Sequence, residues 1–204
     1  MFSAASARLF VLVLFMCAGR LCVADTILVV GDSLSAGYGL PRDSGWVVLL
    51  ERRLVQDGQP ATVINASISG ETTGAARLRI EDLLLRHQPD IVIVELGAND
   101  GLRGAQISLL RDNLSAIVEL CQKRGAQVAI IGMRIPPNYG RDYVNRFHAV
   151  YAQVADSHGV VLVPFMLAGF ADDQSLFQED GIHPTVDAQQ LILDNIYRHL
   201  KPML

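Results

Sequence analysis

Ser33, Asp180 and His183 are the residues of this chain whose types and settings point to chemistry. Ser33 lies in VVGDSLSAGYGL, Val29–Leu40, at the end of an apolar run and among Gly31, Gly37 and Gly39. Such a loop is a phosphate cradle, a plain turn, or the seat of a nucleophile. Asp32 argues against the cradle, because it sets a negative charge where an anion would sit, and no G-x-x-x-x-G-K string is present. A nucleophilic serine needs a base. Five histidines are available. His87, His148 and His199 fall in or at the ends of helical patterns, and His158 in a turn. His183 differs: it sits in EDGIHPT, just before the last helical pattern, with Asp180 three residues earlier. Asp180 can accept a hydrogen bond from one ring nitrogen, which leaves the other to take the Ser33 proton. Pro184 stiffens the position. The G-x-S-x-G elbow is absent, since Ser35 stands where its second glycine belongs.

Acyl transfer also needs donors for the negative charge that develops on the carbonyl oxygen. SISGETT places Gly70 past a strand, where a glycine lets a backbone N–H approach a ligand. ELGANDG places Asn99, with its side-chain NH2, between Gly97 and Gly101 in a tight turn. Taken singly, Gly70 is a turn glycine and Asn99 an Asx turn. Together, three loops deliver nucleophile, backbone donor and amide donor, and a fourth delivers base and orienting acid. The expected oxyanion hole is Ser33 N–H, Gly70 N–H and the Asn99 amide.

These loops have to be held at one edge of a scaffold. TILVV (26–30), ATVINAS (61–67), DIVIVELG (90–97), AQVAIIG (126–132) and VVLVPF (160–165) are apolar runs of strand length, suited to strands buried on both faces of a parallel sheet. Helical patterns lie between them, at 46–55, 77–87, 107–121 and 143–154, with a last one from about Thr185 to Leu200. Alternation of this kind predicts an α/β fold, a three-layer α/β/α sandwich with right-handed crossovers and a five-stranded parallel sheet. The expected strand order is the flavodoxin-like 2-1-3-4-5. Two long loops, 134–143 and 166–183, follow the fourth and fifth strands at their carboxyl ends, where open α/β sheets bind ligands. Leu102, Ile135, Pro136, Pro137 and Tyr139 are candidates to line an apolar acyl groove.

The chain has 204 residues, half of them hydrophobic, enough for one domain with a full core. A net charge of −4 with scattered basic residues gives no nucleic-acid surface. Residues 1–24 read as a secretory signal: Arg8, then LFVLVLFMCAG, then CVA ending at Ala24, with Asp25 as the first mature residue. The apolar run is too short for a comfortable membrane span. Cys17 and Cys22 leave with that segment, so Cys121 stands alone as a buried apolar residue and no internal disulfide is expected. No Cys/His spacing suits zinc, and no metal or cofactor is expected.

GDSLS, the SISG glycine, GAND and DGIHP, in that order across the expected mature domain of residues 25–204, resemble the SGNH (GDSL) hydrolase superfamily. The longer strings GDSLSAGYGL, NASISGETT, VELGANDGLRG and RIPPNYG are similar to the bacterial periplasmic multifunctional thioesterase, protease and lysophospholipase (arylesterase) group within it. The resemblance implies the sandwich fold, Ser33 as nucleophile, Asp180 and His183 completing a triad, and Ser33, Gly70 and Asn99 as the oxyanion hole. It implies hydrolysis of small acyl esters or thioesters through an acyl-enzyme, in a monomer of the periplasm or the cell exterior. Asp32 and Asp100 match motif positions and are expected to hold turns. The rival readings are a carbohydrate O-deacetylase on the same fold and a non-catalytic envelope-binding module.

Overall fold

The five apolar runs form five parallel strands in a computed structural model that describes residues 25–204. The expected signal segment, with Cys17 and Cys22, lies outside the described residues. The strands are β1 (Thr26–Gly31), β2 (Thr62–Asn65), β3 (Ile91–Glu95), β4 (Gln127–Ile131) and β5 (Val161–Val163). Their order is β2-β1-β3-β4-β5, as expected. Every residue of β3 is buried, which is what an unbroken IVIVE run requires with helices on both sheet faces. The edge strands β2 and β5 are short and less buried, which limits the unpaired backbone they present.

Two helical layers cover the sheet. Contacts join α3 (Thr73–His87), α5 (Ile107–Lys123) and α6 (Arg141–His158) in one, and α2 (Trp46–Gln56) and α7 (Gln189–Leu200) in the other. Each turns one apolar stripe inward: Trp46, Leu50 and Leu54 on α2, Leu110, Leu114, Ile117 and Cys121 on α5, and Phe147, Val150, Tyr151 and Val154 on α6. A fully buried leucine such as Leu50 contributes about 1.5–3 kcal/mol of transfer free energy. The two helices of the second layer are also tied by polar bonds near their ends. Trp46 N–H donates to Gln189 Oε1 at 3.0 Å and Tyr197 O–H to Asp57 Oδ2 at 2.7 Å.

Some boundaries differ from the sequence reading. Helix α3 begins at Thr73, four residues earlier than expected, because the Thr72 hydroxyl accepts the Ala75 N–H and caps it there. Helix α7 begins at Gln189, since Thr185–Ala188 form turns. His158 is the last residue of α6 and not a turn residue. The long loops contain single 3-10 turns at Pro137–Tyr139 and Gln174–Leu176.

In this strand order the chain leaves β1 toward one edge of the sheet and continues from β3 toward the other. The crevice between the carboxyl ends of β1 and β3 is therefore the topological switch point, where open α/β sheets bind ligands. Ser33 follows β1, and Asn99 follows β3.

Candidate active site

Ser33 is the first residue of α1 (Ser33–Ala36), a helix of one turn set directly on the end of β1. First-turn N–H groups have no intrahelical acceptor, so the Ser33 amide is free to meet a ligand oxygen. Asp32 caps the turn, its Oδ1 accepting Leu34 N–H at 3.0 Å. Asn65 Nδ2 donates to Ser35 O at 2.7 Å and pins this turn to the end of β2.

His183 is brought to Ser33 across 150 residues of chain: Ser33 O–H donates to His183 Nε2 at 2.9 Å. On the far side of the ring, Nδ1–H donates to Asp180 Oδ2 at 2.6 Å. Asp180 accepts hydrogen bonds only, and this assigns the tautomer. Asp180 Oδ1 also accepts the backbone N–H of Ile182 (2.9 Å) and of His183 (3.0 Å). The His183 N–H, then its ring N–H, then the Ile182 N–H hold the Asp180 carboxyl down at about 2, so it is an anion across the working pH range.

The His183 loop is clasped to the loop after β1 by Gln178. Its Nε2 donates to Tyr38 O at 2.9 Å and Pro184 O at 3.1 Å, and its own N–H donates to His183 O at 2.7 Å. The Tyr38 ring lies over the His183 imidazole with centroids 4.5 Å apart. Gly39 has φ +70°, and a Cβ there would meet the Gln178 side chain. Neither Tyr38 nor Gln178 stands out in the sequence, since their roles arise only where two distant loops meet.

Asn99 lies not in an open turn but in α4 (Ala98–Leu102), a short helix that Gly97 opens with φ +111°. Its Nδ2 donates to Asp32 Oδ2 and to Glu71 O, both at 3.0 Å. Gly70 sits in the turn before Glu71 with φ +80°, a conformation that favours glycine. Its carbonyl accepts Arg103 Nη2 at 3.2 Å, and its N–H has no acceptor among the described residues. The turn is braced by an ion pair in which the half-buried Arg79 grips both carboxylate oxygens of the buried Glu71 and also donates to Ala66 O at 2.7 Å. Asp100 accepts Thr73 N–H (2.9 Å) and Thr73 O–H (2.6 Å), which ties α4 to α3.

Two buried carboxyls stand behind Ser33. Burial raises Asp32 to about 6, against the downward pull of the Leu34 N–H, His183 and Asn99. Glu95, the last residue of β3, is driven well above the usual carboxylate range, first by burial and then by Asp32. Its Oε2 accepts Ser35 O–H at 2.7 Å and Asp32 N–H at 3.3 Å, while Oε1 is buried without a partner, the pattern of a neutral acid. A glutamate closing the IVIV run was the sequence signal for it.

A cleft of about 1340 Å³ opens from Ser33, Asn99 and His183. Leu102, Ile135, Pro136 and Pro137 line it, as expected of an acyl groove, together with Phe165 and Phe170. Tyr139 does not line it; its hydroxyl donates to Leu102 O at 2.9 Å and acts as a brace behind the wall. Cys121 is buried far from this chemistry, its thiol pushed up to about 12 by burial. Among the described residues no cluster of His, Cys, Asp and Glu is arranged to hold a metal ion, and no helix is long and apolar enough to cross a membrane.

The site sits within a chain of wide similarity to known proteins. Esterase TesA of Pseudomonas aeruginosa is 45% identical over 181 residues, covering 89% of this chain and 90% of that protein. Thioesterase 1/protease 1/lysophospholipase L1 of Escherichia coli K12 is 40% identical over 185 residues, covering 91% of this chain and 88% of its own. A crystal structure of TesA matches with a TM-score of 0.86 at 45% identity, over 88% of this chain and 99% of that one. Residues 29–191 match the GDSL-like Lipase/Acylhydrolase family, from β1 to the first turn of α7. With that match spanning most of its length, this chain belongs to the GDSL-like lipase/acylhydrolase family.

Proposed function

We propose that Ser33, His183 and Asp180 carry out the ester hydrolysis that family membership brings to this chain, through an acyl-enzyme on Ser33. The observation that carries the reading is the continuous line of hydrogen bonds from Ser33 Oγ through His183 to Asp180, at 2.9 and 2.6 Å. Ser33 Oγ attacks the carbonyl carbon as its proton passes to His183 Nε2. Asp180, ionised throughout, holds the ring and stabilises the imidazolium. The oxyanion is met by the N–H groups of Ser33 and Gly70 and by the Asn99 amide. When the tetrahedral adduct collapses, the leaving alcohol or thiol takes the proton from His183. A water then gives its proton to His183, attacks the acyl-enzyme and frees the acid.

The substrates are acyl esters and thioesters: aryl esters, acyl-CoA and lysophospholipids. The apolar length of the cleft favours an acyl chain over the acetyl group of a sugar ester. The chain acts as a monomer, exported by residues 1–24 to the periplasm or beyond. A fluorophosphonate probe should label the folded mature protein at Ser33, and Ser33→Ala should lose at least about 10⁴-fold in p-nitrophenyl ester hydrolysis. Parent-level hydrolysis by Ser33→Ala would overturn the assignment. A series of p-nitrophenyl esters and acyl-CoAs of rising chain length tests the groove, which an equal rate at every length would remove.

A further inference from the structure

We infer that Tyr38 is a positioning residue for His183, the wall that keeps the imidazole aimed at water once Ser33 carries an acyl group. The inference rests on the triad proposed above. In the structure the imidazole is pinned at both nitrogens, Nδ1–H on Asp180 and Nε2 on the Ser33 hydroxyl. An acyl group on Ser33 Oγ takes the place of the hydroxyl proton, so the second bond is gone for the whole life of the intermediate. The torsion that turns an imidazole about its Cβ–Cγ bond has broad wells, so one remaining hydrogen bond leaves the ring free to tilt. The Tyr38 ring then limits it, with its centroid 4.5 Å from that of His183 and the two planes 38° apart.

Core packing does not account for Tyr38, which is 52% exposed. Among the described residues its hydrogen bonds are all made by its backbone. Its N–H donates to Ser33 O at 3.1 Å, and its carbonyl accepts Gln178 Nε2 at 2.9 Å. The first bond ties it to the turn that carries Ser33. The second ties it to the loop that carries His183, whose carbonyl accepts the Gln178 N–H at 2.7 Å. Its main chain is therefore fixed to both partners, and the ring it projects rests on the imidazole. An aromatic face there also favours the imidazolium over the neutral ring. Release of the acid is the step that needs this wall. A water oxygen attacks the acyl carbon as its proton passes to His183 Nε2. The bond from that carbon to Ser33 Oγ then breaks, Nε2–H returns the proton to Oγ, and the free acid leaves. Formation of the acyl-enzyme needs the wall less, because the Ser33 hydroxyl itself aims Nε2 at 2.9 Å.

The test treats the folded mature protein with p-nitrophenyl dimethylcarbamate, because a carbamoyl-serine is released by the same attack of water but slowly enough to separate the two steps. The burst of p-nitrophenol gives the rate of formation. The return of p-nitrophenyl butyrate hydrolysis after the reagent is removed gives the rate of release. Tyr38→Ala should slow release about 10-fold and formation no more than about threefold, the loss expected when a catalytic group is less well aimed. Tyr38→Phe keeps the ring and should match the parent in both steps. Tyr38→Leu keeps bulk without a flat face, should also slow release more than formation, and serves if Tyr38→Ala does not fold. Parent release in Tyr38→Ala, equal losses in both steps, or a Tyr38→Phe as slow as Tyr38→Ala would overturn the inference alone. A parent that takes up no carbamoyl group at Ser33, read by intact mass, would overturn the proposed nucleophile and the inference with it, so the two failures are distinguishable.

Discussion

Exchanging Asp32 for asparagine should remove a loss of stability that the parent suffers as pH rises from about 4 to about 6. The carboxyl stands at about 6 in the folded protein against an ordinary 3.8. Between these values the folded state holds a proton that the unfolded chain has released. Asp32 therefore contributes stability that is present below about pH 4 and lost as pH rises through about 6. At 1.36 kcal/mol for each tenfold, the move from 3.8 to about 6 amounts to about 3 kcal/mol. Asparagine does not titrate and escapes this loss. Setting its amide against the Asn99 NH2 carries a cost of its own, but that cost is the same at every pH and drops out of the comparison. Glu95, Glu71 and His183 face Asp32 and are present in both proteins, and Glu95 is raised first by its own burial. Urea denaturation of parent and Asp32→Asn between pH 4 and 7.5 should show the difference in unfolding free energy moving by about 2.5 kcal/mol toward the variant, the rest of the change lying below pH 4. Curves parallel to within about 0.5 kcal/mol would refute the reasoning, because Asp32 would then ionise as freely folded as unfolded.

Asn99→Ala should lower kcat by about 10²–10³-fold, with the thermal midpoint little changed, as read by p-nitrophenyl ester kinetics and a melt. Gly39→Ala places a Cβ against Gln178 at φ +70° and should part the clasp that holds the His183 loop. The left-handed backbone alone costs about 1–2 kcal/mol, and kcat should fall further than the melting midpoint suggests, with Gln178→Ala reproducing the kinetic effect.

The layers and strand order were legible because IVIV, ILVV and AII have few other places to go than a sheet covered on both faces. Helix starts were less so. The start of α3 rests on the Thr72 hydroxyl, and Gly74 within its first turn hides it from periodicity. Ser33, Asp180 and His183 were readable because each is an odd residue type at a strand end or loop end, and the Asp–His spacing is local. Gln178, Tyr38 and Glu71 were not, because each acts across a junction of loops that the fold alone creates. Glu95 was half legible: its place at the end of an apolar strand is plain, but its link to Ser35 needs the pairing of β1 with β3.

Ser33 lies near the start of the folded domain and His183 near the end, and α2 leans on α7. β1, the first strand made, occupies the middle of the sheet and waits for β3 before its second edge is paired. Synthesis therefore delivers Ser33 long before it delivers His183, the histidine it is bonded to in the folded protein. A chain still emerging lacks the line of hydrogen bonds from Ser33 to Asp180, because docking the last segment both completes the domain and brings His183 to Ser33. On the proposed function, a chain cut before α7 would lose its fold and its chemistry together.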